Sequence, residues 1–246
     1  MNVIGIIPAR YQSSRLPGKP LVDICGKPMI QWVYENAARS ATLDDLVVAT
    51  DDRRIVQAVE AFGGKSVMTS PDHTNGTDRA AEVARGLDVR VVVNIQGDEP
   101  FVHPGMIDEI VNPLLADPSL PMCTSMHEVT DDADFANPGV VKTVVDLTGN
   151  ALYFSRSLIP YPRTRNGHHV YEHIGLYAYT REFLLTYSRL PPTPLERLES
   201  LEQLRALEHG YRIRVVETRQ DYIPLSVDTP EDLDKARLLA AQHTKR

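Results

Sequence analysis

Short apolar runs, set apart by polar stretches marked with glycine and proline, organise the first hundred residues. Val3 to Ile7, Leu46 to Thr50 and Val91 to Ile95 are apolar runs rich in β-branched residues, while Lys65 to Thr69 reads simply as a short strand. Such runs predict strands buried on both faces. Pro8 is expected to end the first. Helical stretches fall between them. One covers about 28–39 with Pro28 in its first turn, one runs from the capping pair Asp51-Asp52 to about Phe62, and one follows the polar loop Ser70 to Gly76 as far as about Arg85. Gly63-Gly64 stops the second of these. The alternation β-α-β-α-β-α-β predicts a parallel sheet with right-handed crossovers.

A helix over about 104–116 follows, and then the pattern changes. Met122 to Val129, Val140 to Val145, Leu152 to Phe154, Glu172 to Tyr179 and Arg212 to Glu217 read as strands, with helices at about 181–188 and 195–208. Arg163 to His169 is a charged, glycine-containing loop. Thr229-Pro230-Glu231-Asp232 opens a last helix, with threonine as N-cap and proline at the first helical position. The second half is therefore mixed rather than parallel, and no linker separates independent domains.

Composition removes several function classes. The 246 residues are 42% hydrophobic and 24% charged, ordinary values for a globular chain long enough to bury a sizeable core. A net charge of −7 argues against a general nucleic-acid surface. Cys25 and Cys123 form no C-x-x-C pair, so neither a zinc site nor a disulfide framework is expected, and reduced thiols suit a cytoplasmic protein. No signal-peptide pattern and no apolar run near 18 residues is present, so no membrane insertion is expected. The first strand is not followed by G-x-G-x-x-G, which argues against NAD or FAD.

Candidate chemistry begins in the loop after the first strand. Arg10, Arg15 and Lys19 lie within ten residues among the small residues Ala9, Ser13, Ser14 and Gly18. The carboxyl end of a central parallel strand is the usual ligand crevice of open α/β sheets, so this is either a solvated basic loop or a cradle for a polyanion. Asp98 ends the fourth strand and Asp228 precedes a helix cap. Each is either a local turn or cap residue or a hard-oxygen ligand for Mg²⁺. Asn75-Gly76-Thr77 reads as a helix cap that Arg79 can support, Arg156 as a surface arginine, His173 as a satisfied structural histidine and Tyr177 as core. Glu202 and Gln203 fall in a leucine-rich helix, where exposure is the default.

The order of these segments adds a resemblance. Ile7-Pro8-Ala9-Arg10 with Ser13-Ser14-Arg15-Leu16-Pro17-Gly18-Lys19-Pro20-Leu21 is similar to the signature of the sugar-activating cytidylyltransferases, above all those acting on 3-deoxy-D-manno-octulosonate (Kdo). It continues through Ala49 to Asp52, Asn75 to Arg79, Asn94 to Pro100, Ala151 to Arg156, Leu201 to Arg205 and Val227 to Asp232, in order over nearly the whole chain. The resemblance implies a Rossmann-like nucleotide-diphospho-sugar transferase fold in the α/β class. A mixed, mostly parallel central sheet would carry helices on both faces, with a smaller β-rich region for dimerisation and sugar binding. It implies a single domain over 1–246, with a nucleotide-binding part at 1–117, a sugar-binding and dimerisation part at 118–220, and a return to the core at 221–246.

By the same resemblance CTP and Kdo are the substrates, Mg²⁺ the cofactor and a homodimer built from the middle region the assembly; Met122, Val129 and Phe135 are exposed apolar candidates there. Ala9, Arg10, Arg15, Lys19, Asn75, Gly76, Thr77, Gln96 and Asp98 would bind nucleotide, with Asn75 where the family has serine. Asp98 and Asp228 would hold the metal and, with Arg10 and Lys19, carry catalysis. Gln96, Arg156, His173, Tyr177, Glu202 and Gln203 would bind the sugar, Arg156 taking its carboxylate. Rival readings are a cytidylyltransferase for 8-amino-Kdo or a sialic-acid-type sugar, a metal-dependent glycosyltransferase, and a non-catalytic nucleotide sensor. Gln96-Gly97-Asp98 is not the Asp-x-Asp motif usual in such glycosyltransferases, and the retained acids and cations speak against a sensor.

Overall fold

The computed structural model describes residues 1–13, 15–164 and 169–243; Ser14 and residues 165–168 of the expected charged loop lie outside the described residues. The chain forms two compact units, Met1–Asp108 with Gln220–Arg246, and Glu109–Arg219.

The first unit begins with β1 (Val3–Ala9), a short hairpin of β2 (Asp23–Ile24) and β3 (Lys27–Pro28), and α1 (Met29–Ala37). There follow β4 (Asp45–Thr50), α2 (Arg53–Ala61), β5 (Ser66–Met68), α3 (Gly76–Arg85), β6 (Val91–Asn94) and α4 (Pro104–Ala116), in which the boundary between the units falls. The four longer strands are parallel in the order β5-β4-β1-β6. Ile4, Ile6, Ile7, Val48 and Val92 are at most 2% exposed, as continuous apolar runs require of strands covered on both faces. Each such side chain contributes about 1.5–3 kcal/mol by leaving water. From β1 the chain steps to β4 and β5 on one side, then returns to place β6 on the other. Connections leaving β1 and β6 in opposite senses open a crevice at the strands' carboxyl ends.

Two expectations about prolines are corrected. Pro8 does not end the first strand, which runs to Ala9 with Pro8 opposite Ala49. Ile6 faces β6, its carbonyl accepting from Ile95 N at 2.9 Å, so Pro8, two residues on, faces the same side. By then β6 has ended at Asn94, and no ladder donor is missed. Pro28 is the N-cap of α1, in extended conformation (φ −62°, ψ 145°), and not its first helical residue.

The second unit holds β7 (Met122–Glu128), β8 (Lys142–Val145), β9 (Ala151–Ser155), β10 (Tyr171–Thr180), α5 (Arg181–Tyr187), α6 (Pro194–Glu199), α7 (Leu204–Glu208) and β11 (Ile213–Glu217). β11 pairs parallel with β7; β7 with β10, β10 with β8 and β8 with β9 pair antiparallel, giving the expected mixed pattern. The helix expected over 195–208 is broken. Ser200 adopts a left-handed conformation (φ 53°), and the Glu196 carboxylate, which caps α6 from within, also pairs with Arg205 of α7. One ion pair thus folds the second helix back on the first. Met122 is wholly buried in β7, and Val129 and Phe135 are half-buried, so none of the three supplies the exposed apolar surface expected from the middle region.

The chain then returns to the first unit through α8 (Pro230–His243). Its start is the expected capping box: Thr229 Oγ1 accepts from Asp232 N at 3.2 Å, and Asp232 Oδ2 accepts from Thr229 N at 3.1 Å. Cys25 and Cys123 are both free thiols. No helix among the described residues is long and apolar enough to cross a membrane.

Candidate active site

A cleft of about 440 Å³ opens at the carboxyl ends of β1 and β6, within the usual range for small-ligand pockets. Its floor is backbone. A Cβ on Gly97 would lie 2.7 Å from the Pro8 carbonyl oxygen, so only glycine lets the loop after β6 pass so close to β1. One rim is the loop after β1. Gly18 N donates to Tyr11 O at 3.1 Å with φ 67°, a conformation that again suits glycine, and the Arg54 guanidinium covers the Tyr11 ring at 3.3 Å. Gly18 closes the loop just before the short 3-10 turn Lys19–Leu21, which aims Lys19 inward.

Lys19 Nζ donates to Asp98 Oδ2 at 2.6 Å and to Asp228 Oδ1 at 2.8 Å. Arg15 Nη2 lies 3.0 Å from the same Asp228 oxygen. Asp228 reaches this point because Val227 is anchored on both sides. Its N–H donates to Asp98 O at 2.9 Å, and its side chain is fully buried with Ile24, Met29, Leu233, Ala236 and Ala240. Since Thr229 caps α8, the Asp228 carboxylate is left for the cleft. Burial opposes the charge on Lys19, but Asp98 and Asp228 outweigh it and raise its pKa above the ordinary lysine value.

Ala9, Arg10, Arg15, Lys19, Gly76, Gln96, Asp98 and Asp228 all line the cleft. Asn75 and Thr77 do not. Asn75 is the N-cap of α3, accepting from Asp78 N at 2.7 Å, and Thr77 is buried beside Asn94. Gln12, Ser13 and Gly97 join the wall without having been singled out, and so does Arg79, which was expected only to support a loop. Arg79 is fully buried, bonded to Thr69 Oγ1 and 3.4 Å from Asp51, while its Nε has no hydrogen-bond partner among the described residues. Burial pulls its pKa below the usual arginine value. Four cations (Arg10, Arg15, Lys19, Arg79) therefore face two carboxylates (Asp98, Asp228), a local positive balance in a chain of net charge −7. Such a cleft suits a polyphosphate.

The donor set also fits a magnesium ion. Asp98 Oδ2 and Asp228 Oδ1 share one ammonium, so they lie at most the sum of those two contacts, 5.4 Å, apart. Two hard oxygens leave coordination positions for water and phosphate. No group of three or more His, Cys, Asp or Glu side chains able to hold a metal occurs among the described residues, so the chain offers no closed cage.

The residues expected to bind sugar lie in the second unit, apart from Gln96. His173, Tyr177 and Gln203 form one cluster. His173 is 8% exposed and Gln203 3%, and the His173 ring packs edge-on to Phe154 at 4.8 Å and against Tyr177 at 5.4 Å. Exposure was the expectation for Gln203, and the break at Ser200 instead turns it inward; Glu202 is half-buried. Thr124 Oγ1 is within bonding reach of the Ile174 and Leu176 carbonyls, to either of which it can donate, and meets His173 Nε2 at 2.9 Å. The hydrogen-bond pattern therefore assigns the proton to Nε2 and leaves Nδ1 to accept from Gln203 Nε2 at 3.4 Å.

Burial pushes the His173 pKa down to about 3. The unfolded chain takes up this proton below about pH 6.5 and the folded one does not, so stability falls as pH drops through that range. Urea unfolding at pH 7.5 and 5.5 should show the wild type losing about 1.4 kcal/mol more than His173→Gln. Equal losses would mean that the ring is protonated in place.

Arg156, just after β9, is tied to its own unit through three of its five donors. Its Nε donates to Glu199 O at 2.7 Å, Nη1 to Pro138 O at 2.9 Å and Nη2 to Ser200 O at 3.4 Å. The Glu199 carboxylate holds the backbone beneath it, accepting from Arg156 N at 3.0 Å and Ser155 Oγ at 2.7 Å. Lys142, wholly buried, spends its three donors on the carbonyls of Asn137, Val140 and Arg156 at 2.7, 2.7 and 3.0 Å. The surface arginine of the simplest reading is thus a fixed group, and sequence patterning missed Lys142 and Glu199, which fix it.

A crevice at a strand-order reversal, a basic loop and a facing pair of aspartates suit a nucleotide polyphosphate, and the comparisons show the class of protein. Residues 4–214 match the cytidylyltransferase family, and the chain belongs to it. It is 54% identical over 251 residues to the 3-deoxy-manno-octulosonate cytidylyltransferase of Syntrophobacter fumaroxidans (98% of each chain). It is 52% identical over 246 residues to the enzyme of that name from Geobacter sulfurreducens (96% of this chain, 98% of the relative). A CMP:2-keto-3-deoxy-manno-octonic acid synthetase solved in complex with CTP superposes with a TM-score of 0.94 at 48% identity, covering 99% of this chain and all of that one. A cytidylyltransferase from Leptospira borgpetersenii, 17% identical with a TM-score of 0.65, shares the fold.

Proposed function

We propose that the protein transfers CMP from CTP to the anomeric 2-hydroxyl of Kdo, releasing pyrophosphate, and so activates Kdo for lipopolysaccharide synthesis in the cytoplasm. The observation that carries this reading is the cleft in which Arg10, Arg15, Lys19 and Arg79 face Asp98 and Asp228, in a chain half identical along its length to enzymes of that name. Arg10, Arg15 and Lys19 bind the triphosphate and neutralise the departing pyrophosphate. Phosphoryl chemistry is largely positioning and charge neutralisation, so no protein nucleophile is required. Asp98 and Asp228 would hold Mg²⁺, which would supply positive charge to the phosphates and lower the pKa of the attacking hydroxyl. Gly76 and Gln96 border the nucleotide, with Asn75 and Thr77 supporting from behind. Arg156 reads the sugar carboxylate, and His173, Tyr177, Glu202 and Gln203 match its hydroxyls. Pyrophosphate release from CTP and Mg²⁺ with a panel of Kdo, its 8-amino analogue and sialic acid tests the assignment. Kdo should give the highest kcat/KM. A clear preference for another acid overturns the substrate, and no release with any of them overturns the reaction.

The proposal includes a homodimer. Leu147 and Leu152, at and beside the β8–β9 turn, are 107% and 62% exposed, a liability on a monomer. Light scattering at micromolar concentration should give about twice 27.5 kDa; a 27.5 kDa particle refutes a stable dimer.

A further inference from the structure

The contact between Lys19 and the two aspartates raises a question that the proposed chemistry leaves open. Asp98 and Asp228 are the proposed magnesium ligands, yet Lys19 Nζ lies in the gap between them, 2.6 Å from one oxygen and 2.8 Å from the other. A magnesium ion bound by both oxygens would stand about 2.1 Å from each. Ion and ammonium therefore claim the same space and the same lone pairs. Arg15 adds a second cation to the Asp228 oxygen at 3.0 Å. The ammonium is only partly exposed, its side chain being 16% accessible, so water screens this contact poorly.

We infer that Lys19 is the resident counter-cation of the Asp98–Asp228 pair, which keeps a divalent ion out of the nucleotide-free protein and yields the gap when a polyphosphate draws the ammonium away. The inference rests on the metal reading of the two aspartates. It assigns Lys19 two successive partners, the carboxylates before nucleotide binds and the phosphates after. Three features make the exchange feasible. Lysine is a flexible stem with a compact charge, unlike the planar fork of arginine. The cleft that Lys19 lines also carries Arg10 and Arg79, so phosphates are attracted to it whether or not Lys19 is free. Moreover, no third acidic or histidine ligand is clustered with the pair among the described residues, so a bare ion gains little by expelling the ammonium. A nucleotide brings further oxygens and removes the competitor in one event. Metal and nucleotide then favour each other's binding, and the coupling is reciprocal.

The test uses Mn²⁺ alone, followed by electron paramagnetic resonance of the free ion, on the full chain without nucleotide. Lys19→Met keeps the stem and removes the charge; Lys19→Gln is a second neutral variant in case the first misfolds, and circular dichroism checks both. The neutral variants should bind Mn²⁺ at least about tenfold more tightly than the wild type, within the usual span of coupling between sites. Adding Asp98→Asn to Lys19→Met should abolish the gain. Mn²⁺ binding that is unchanged or weaker in both neutral variants overturns the inference, as does a gain that survives Asp98→Asn. The pyrophosphate assay on the wild type reads the proposed reaction separately, so loss of the gating role and loss of the reaction assignment give different results.

Discussion

Asp98→Ala and Asp228→Ala should each lower kcat by about 10²–10³-fold, the loss typical when a group that stabilises charge in the transition state is removed. Both variants should keep their fold. The contact that joins the two segments is between backbone groups, Val227 N to Asp98 O, and α8 is capped by Thr229 and Asp232. Each substitution also leaves Lys19 with one carboxylate in place of two, so the surviving aspartate is held by an ammonium with no second partner to share. Steady-state turnover at saturating CTP and rising Mg²⁺ is the measurement. If either variant turned over at a near-normal rate once Mg²⁺ was saturating, that aspartate would be a structural anchor for its loop and nothing more.

Arg156→Lys should reduce kcat/KM for the sugar acid by about 10–10²-fold while leaving the Michaelis constant for CTP within about twofold. The guanidinium has five donors in a plane, and three are committed to the carbonyls of Glu199, Pro138 and Ser200. Two N–H groups remain for a carboxylate. A lysine has three donors in all, so it must abandon either the carbonyls or the ligand. The carbonyls are themselves held, through Glu199 below and Lys142 beside, so they do not shift to follow a head group of different shape. Equal effects on both substrates would show that Arg156 is a structural tie.

These expectations rest unequally on what the chain displays as a string of residues. Strands β1, β4 and β6 were legible because each is largely a continuous apolar run, and the caps Asp52, Asn75 and Thr229 because short polar side chains stand where a helix begins. The end of β1 was misjudged, since whether a proline breaks a strand depends on how far its neighbour extends. The break between α6 and α7 was hidden because a left-handed serine carries no sign of itself. In the site, the basic loop was visible as local charge. Its pairing was not: Lys19 meets residues 79 and 209 positions away, and no periodicity reports a contact of that span. Arg79 was underrated for a related reason. A buried arginine on a cleft wall looks, as text, like any arginine in the first turn of a helix. Lys142 and Glu199 act through carbonyls and backbone N–H groups, which every sequence shares.

The anchoring of Asp228 has a consequence for how the site is completed. In chain order β1 and its basic loop come well before Val227, Asp228 and the helix that packs over Ile24 and Met29. Until that segment docks, Lys19 has Asp98 but not Asp228, and Arg15 lacks the carboxylate it shares in the finished fold. Without that segment Arg15 and Lys19 are less fully neutralised, and Ile24 and Met29 lack the apolar side chains that cover them. Docking of α8 supplies both at once, so the charge balance of the cleft depends on a helix that itself contributes no residue to it.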